Sequence, residues 1–256
     1  KEKYPVILPK HFAHTDEEPA NVYAFIHAVS SRLREGQVTV VGNGSACVVG
    51  GHAYIIKKGQ RFITNSAIAS MGYDMPAAIG AWTASRDKGC YSQGGDRSGE
   101  DLILVTGDGS MQMNLQELQT IIHHRMGIKI FVINNGGYHS IRQTQKNFFG
   151  EPLIGIGVDS GDLSFPALDK LAAAYGYPYV SARHNSELGE AVEKTLAAEG
   201  PAICEVFVSM DQNFEPKSSA KRLPDGTMVS PPLEDLSPFL PDEEMDENMI
   251  IPRIKG

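Results

Sequence analysis

Two apolar runs constrain this chain more than any other feature: 102–105 in LILVTGDGS and 128–133 in IKIFVINN, the second broken only by Lys129. A strand with one wet face alternates apolar and polar residues, so a strand apolar at every position must be covered on both faces. That happens mainly in parallel sheets, where crossover helices cover both faces. The stretch between the runs, NLQELQTIIHHRM, sets Leu115, Leu118, Ile121 and Ile122 on one helical face and supplies such a crossover. Val38–Val41 in QVTVVGNG, a short run in RFITNS, YPYVSAR and PAICEVFVS read as further strands. Val22, Phe25, Ile26 and Val29 recur at helical spacing, as do apolar positions in PAAIGAWTASR, SELGEAVEKTLAAEG and FPALDKLAAAYG, the last ended by Gly176. The expected fold is α/β, a doubly wound parallel sheet with helices on both faces.

The expected organisation is a leading arm at 1–18, the sheet domain at 19–210 and an extended, Pro-rich acidic tail at 211–256. Residues 86–100, Gly- and Ser-rich, read as a surface loop, and GGYHSIRQTQKNFFG as a mobile loop or lid. The 256 residues are 41% hydrophobic and 21% charged, which excludes disordered, collagen-like and coiled-coil classes. With 23 Lys and Arg against 31 Asp and Glu, the net charge of −8 argues against nucleic acid or an anionic membrane as partner. No apolar run approaches the roughly 20 residues of a membrane helix. Cys47, Cys90 and Cys204 are odd in number and lack metal-ligand spacing, so reduced thiols in a cytoplasmic protein are expected. The start, KEKYPVILP, has neither an apolar signal core nor an initiator Met, and a piece of a longer chain is expected.

Ligands of open α/β sheets lie at the carboxyl ends of strands. One strand here ends in Gly107-Asp108-Gly109-Ser110, another in Asn134-Asn135-Gly136-Gly137. If the two are neighbours, Asp108 and Asn135 enter one crevice. A carboxylate and an amide oxygen suit a hard cation such as Mg²⁺, which takes its remaining ligands from water and phosphate. The glycines let backbone N–H groups approach a phosphate, and a helix starting near Asn114 would add its positive end. Gly42-Asn43-Gly44-Ser45 also follows a strand and suits a second phosphate. The combination reads as magnesium plus diphosphate.

GDGSMQMNLQELQTIIHHRMGIKIFVINN resembles the thiamine-diphosphate motif, GDG followed after about a helix and a strand by NN. SAIASMGYDMPAAIGA is similar to the same family's block before the second helix of its diphosphate domain. The resemblance spans about 15–210 and is closest to the C-terminal, diphosphate-binding domain of acetolactate synthase large subunits. It implies thiamine diphosphate and Mg²⁺ as cofactors, with Asp108, the Asn135 side chain and the Gly137 carbonyl as metal ligands. Asn43, Gly44, Ser45, Gly107, Gly109, Ser110 and Tyr138 fall at or beside the diphosphate positions. Met71 matches the bulky residue that bends the cofactor, and the backbone of Ala69 and Met71 would grip the pyrimidine. Ala69 stands where the family commonly has Gly, and Asn43-Gly44 where acetolactate synthases usually carry Gln-His.

The implied activity is decarboxylation of a 2-oxo acid and ligation of the product to a second carbonyl. The implied partner is a pyrimidine-binding domain that carries the activating glutamate, so the isolated chain is expected to be inactive, and a homodimer or larger assembly is the minimal expectation. The alternatives are a 2-oxo acid decarboxylase or lyase on the same scaffold, and a noncatalytic Mg-diphosphate binding module. Beyond the motif, His123 and His124 read as dipole-complementing residues at a helix C-terminus. Trp82 and Phe148-Phe149 read as packing, and His139, Arg142 and Gln143 as loop or lid residues.

Overall fold

The computed structural model describes residues 3–86 and 101–253. Cys90 and nearly all of the expected 86–100 loop lie outside the described residues. Contacts divide the chain into two units, 7–212 and 1–6 with 213–256.

The larger unit carries a six-stranded, all-parallel sheet in the order β2-β1-β3-β4-β6-β5. Helix α1 (Val22–Arg32) leads into β1 (Val38–Val41), α2 (Ser45–Ala53) and β2 (Arg61–Ile63). Next come α3 (Asp74–Ala84), β3 (Leu102–Gly107), the short turn α4 (Asp108–Met111), α5 (Glu117–His123) and β4 (Ile128–Asn134). The unit closes with α6 (His139–Phe148), α7 (Leu168–Tyr175), β5 (Tyr179–Ala182), α8 (Leu188–Ala197) and β6 (Ala202–Phe207).

The two apolar runs are β3 and β4, adjacent in the middle of the sheet, with Leu104 opposite Ile130. Side chains alternate between the faces. Leu102, Leu104, Ile128, Ile130 and Val132 pack under α3, α5 and α7, against Met75, Ala78, Leu118, Ile121, Leu168 and Ala172. Phe131 points the other way and meets Phe25 of α1, ring centroids 6.0 Å apart. Both faces are therefore covered, as the apolar runs require. The chain leaves β1 toward β2 and leaves β3 toward β4, so the strand order reverses between β1 and β3. At such a switch point loops diverge and open a crevice.

Three expectations are corrected. Residues 139–148 form α6, not a loop: with His139 and Arg142 buried on one side and exposed polar residues on the other, the segment has an amphipathic helical pattern hidden by its short apolar content. The helix expected near Asn114, α5, starts at Glu117 but does not reach the cavity described below. The backbone turns helical at Asp108, whose Oδ1 accepts the Gly109 N–H at 2.8 Å. Phe148 and Phe149 are 55% and 81% exposed, because α6 ends there and its last turn faces outward, so they are not core packing. Trp82 does pack against the core, and His123 and His124 do close α5.

The second unit is not extended throughout. It holds a short antiparallel pair, β7 (Lys221–Arg222) and β8 (Met228–Val229), and helix α9 (Asp242–Asn248). Acidic residues in its first turn, Asp242, Glu243 and Glu244, complement the positive end of the helix dipole. Among the described residues, no helix is long and apolar enough to cross a membrane.

Because Phe131 is fully buried against Phe25, Phe131→Ala should lower stability by about 3–5 kcal/mol, read from the midpoint of urea denaturation.

Candidate cofactor site

The carboxyl ends of β1, β3 and β4 lie side by side and wall a cavity of about 260 Å³. Its lining includes every residue assigned from sequence to the metal and cofactor: Asn43, Gly44 and Ser45 after β1, Ala69 and Met71 before α3, Gly107 to Ser110 after β3, and Asn135, Gly137 and Tyr138 after β4. His139, Ser140 and Ile141, from the first turn of α6, complete it.

Asp108 is buried, and each carboxylate oxygen accepts one backbone N–H: Oδ1 from Gly109 at 2.8 Å and Oδ2 from Gly137 at 3.0 Å. Burial raises its pKa from 3.8 to about 7, against the opposing pull of these N–H groups and of Arg142. Asn135 donates from Nδ2 to Ser45 Oγ at 3.0 Å, which points its amide one way. Its Oδ1 is buried with no hydrogen-bond partner among the described residues. Such an acceptor costs about 1–3 kcal/mol unless something satisfies it. A hard cation fits this donor set: a carboxylate, an orphaned amide oxygen and the Gly137 carbonyl, which spends one lone pair on the His139 N–H at 3.1 Å. Among the described residues no cluster of three His, Cys, Asp or Glu side chains offers an alternative metal site.

Gly137 has φ +147°, and a Cβ there would overlap the Ile156 carbonyl, so no other residue fits. Two helices open onto the cavity. α2 begins at Gly44, and its first intrahelical bond runs from Val48 N–H to the Gly44 carbonyl, leaving the N–H groups of Ser45, Ala46 and Cys47 without intrahelical acceptors. α6 begins at Tyr138 in the same way, with Arg142 N–H bonded to the Tyr138 carbonyl. Both positive ends favour an anion. The Tyr138 ring lies so close to Gly109 that a Cβ there would come within 2.5 Å.

A ring of residues away from the cavity holds the Asn134–Gly137 turn. Arg142, 1% exposed, donates to the carbonyls of Asn135 and Gly136, both at 3.2 Å. Asp159 grips the same guanidinium at 2.8 and 2.9 Å, and that bond lowers the Asp159 pKa. Asn134 donates to the buried Glu205 of β6 at 2.6 Å and accepts the Gly136 N–H at 3.1 Å. The two asparagines thus divide the work: Asn134 braces the turn, and Asn135 faces the cavity.

Sequence reasoning missed α2, Asp159 and Glu205. The segment SACVVGGHA carries two glycines that weigh against a helix, and only the Gly44-Ser45 start hinted at one. Asp159 and Glu205 reach the turn through tertiary contacts that no spacing reveals. Ser110 lines the cavity, but its hydroxyl is engaged by Asp74 and Gly72, so only its backbone faces a ligand as a free donor.

Residues 42–206 match the family described as "Thiamine pyrophosphate enzyme, C-terminal TPP binding domain", and the chain belongs to that family. It is 32% identical over 157 residues to an acetolactate synthase large subunit of Cyanidium caldarium, covering 61% of this chain and 24% of that protein. Over 211 residues it is 28% identical to acetolactate synthase 2, chloroplastic, of Nicotiana tabacum, covering 77% and 30%. Over 214 residues it is 22% identical to acetolactate synthase isozyme 1 large subunit of Escherichia coli (strain K12), covering 84% and 34%. The chain therefore spans about a quarter to a third of the length of the curated relatives it matches.

Two outcomes follow from this geometry. Asp108 binds its proton more tightly folded than unfolded, so its stabilising contribution is full below about pH 4 and is lost as pH rises through about 7. In EDTA, denaturation midpoints between pH 4.5 and 8 should fall more steeply for the wild type than for Asp108→Asn, which cannot ionise. Ala69 has φ 55°, a left-handed conformation that disfavours a Cβ. Ala69→Gly relieves that strain and should stabilise by up to about 1 kcal/mol in the same assay, or cost nothing.

Proposed function

We propose that this chain holds thiamine diphosphate on Mg²⁺ for an enzyme that decarboxylates a 2-oxo acid and joins the product to a second carbonyl. The observation that carries this reading is the buried pair of Asp108 and the orphaned Asn135 Oδ1, beside two open helix ends in one cavity. Asp108, Asn135 and the Gly137 carbonyl would hold the cation. The N-termini of α2 and α6 would hold the diphosphate, and the backbone of Ala69 and Met71 the pyrimidine end, with the Met71 side chain setting its bend. When bound, the cofactor supplies an electron sink for the electrons released as carbon dioxide leaves. The chain's own part is to bind, orient and shield. Burial of Asp108 keeps water from competing for the cation, and the Arg142 and Glu205 contacts stop the Asn134–Gly137 turn from relaxing.

In this reading the site is completed by a pyrimidine-binding domain that carries the activating glutamate, within an assembly of at least two copies. This chain alone would bind cofactor but turn over little or no substrate. A simple decarboxylase is the second reading, favoured by Asn43-Gly44 and by the segment after Asn135, where this chain departs from the acetolactate synthase pattern. With the complementing domain supplied, pyruvate would give acetolactate in the first case and acetaldehyde in the second.

The test begins with binding. Thiamine diphosphate with Mg²⁺ at about 100 times its Kd should add roughly 2.7 kcal/mol, a Tm rise of about 5–10 °C for a chain of this size. EDTA should abolish the rise, and Asp108→Ala should lack it. A rise with ADP and none with thiamine diphosphate would point instead to a noncatalytic diphosphate-binding module.

A further inference from the structure

Asp74 opens α3 and is fully buried, yet it does not line the cavity. Its carboxylate accepts from the Thr106 hydroxyl at the end of β3, from the Ser110 hydroxyl at 3.0 Å and from the Met75 N–H at 3.0 Å. A Cβ on Gly42, at the end of β1, would overlap the same carboxylate. One side chain therefore sits at the switch point against β1, β3 and the turn after β3.

Ser110 carries the consequence across the cavity. The Gly72 N–H donates to Ser110 Oγ at 2.9 Å, and the single hydroxyl proton goes to Asp74. Asn114 Nδ2 donates to the Gly72 carbonyl at 2.6 Å. Both backbone polar groups of Gly72 are thereby tied to residues 110 and 114, and Met71 is the residue immediately before it. The next residues back are exposed, with Ile68 80% exposed, so packing contributes little to holding this wall. The wall bearing Ala69 and Met71 is set against the wall bearing Gly107 to Ser110 through Gly72, by the Asn114 amide and by the Ser110 hydroxyl, whose direction Asp74 dictates.

We propose that Asp74 is a positioning residue that, through the Ser110 hydroxyl, fixes the separation of these two walls, so that the cavity selects a ligand spanning both, thiamine diphosphate, over diphosphate alone. The inference rests on the cofactor reading above and adds the device that makes the site longer than a diphosphate cradle. Removing the carboxylate frees the Ser110 proton and slackens the 69–72 wall, while Asp108, Asn135 and the helix ends that face the diphosphate stay in place. Asparagine at 74 can still present its amide oxygen to both hydroxyls, but its NH₂ then faces the Met75 N–H as donor to donor, so it should restore only part of the effect.

The experiment measures the Kd of thiamine diphosphate and of inorganic pyrophosphate, each with Mg²⁺, for the chain and its variants, with near-UV circular dichroism to confirm folding. The wild type should prefer thiamine diphosphate. Asp74→Ala should lower that preference by about tenfold, the worth of one good hydrogen bond, with pyrophosphate affinity little changed, and Asp74→Asn should recover part of it. If Asp74→Ala does not fold, Asp74→Ser carries the test, because it removes the carboxylate that takes the Ser110 proton and leaves every residue lining the cavity in place. An unchanged preference in the folded variant, or an equal loss for both ligands, overturns the proposal. A wild type that binds pyrophosphate and thiamine diphosphate equally, or binds neither, overturns the cofactor reading and this inference together. Failure of the inference alone appears only as a variant-to-wild-type ratio that does not move.

Discussion

The parallel hydrogen bonding of β3 to β1 on one side and to β4 on the other is the constraint on which the site depends. Parallel strands end at the same edge of the sheet. Three turns that are far apart in the chain are therefore delivered to one place: Gly42–Ser45, Gly107–Ser110 and Asn134–Gly137. Since the crossovers diverge between β1 and β3, the edge there is open rather than covered. Apolar strands covered on both faces make this edge rigid, so the turns inherit a fixed spacing from the ladder. Asp108 and Asn135 meet because Gly107 is in register with Ile133.

That rigid edge carries groups that are unfavourable on their own. A carboxylate held near neutral pKa by burial and an amide oxygen with no donor are both destabilising without a ligand. The surrounding structure keeps them in place. Backbone N–H groups bond both Asp108 oxygens, Ser45 orients the Asn135 amide, and Arg142 and Glu205 brace the turn from behind. The local cost and the surrounding braces belong to one arrangement, in which a cation would relieve the strain that the fold maintains.

Much of the fold was legible in the residues because it rests on local signals. Apolar runs marked β3 and β4, despite Lys129 in the latter, and helical periodicity marked α1, α7 and α8. The paired GDG and NN turns pointed to the candidate site: Gly107 to Ser110, Asn135 and Gly137 line one cavity, whereas Asn134 and Gly136 do not. The failures have equally local causes. α2 hides behind glycines, α6 behind a charged and aromatic composition, and the start of α5 behind an early turn at Asp108. The short elements of residues 213–253 are masked by prolines and acidic residues.

By itself, the sequence determined the class of fold, the order of its strands along the chain and the identity of the groups at their ends, since these follow from periodicity and residue chemistry. Only the tertiary structure decided that β1 lies beside β3, that Asn134 and Asn135 have different tasks, and that Asp74, Asp159 and Glu205 belong to the architecture of the site. Those are contacts between residues distant in sequence, and burial favours them because a buried polar group left without a partner is costly. No window of the sequence contains both halves of such a contact.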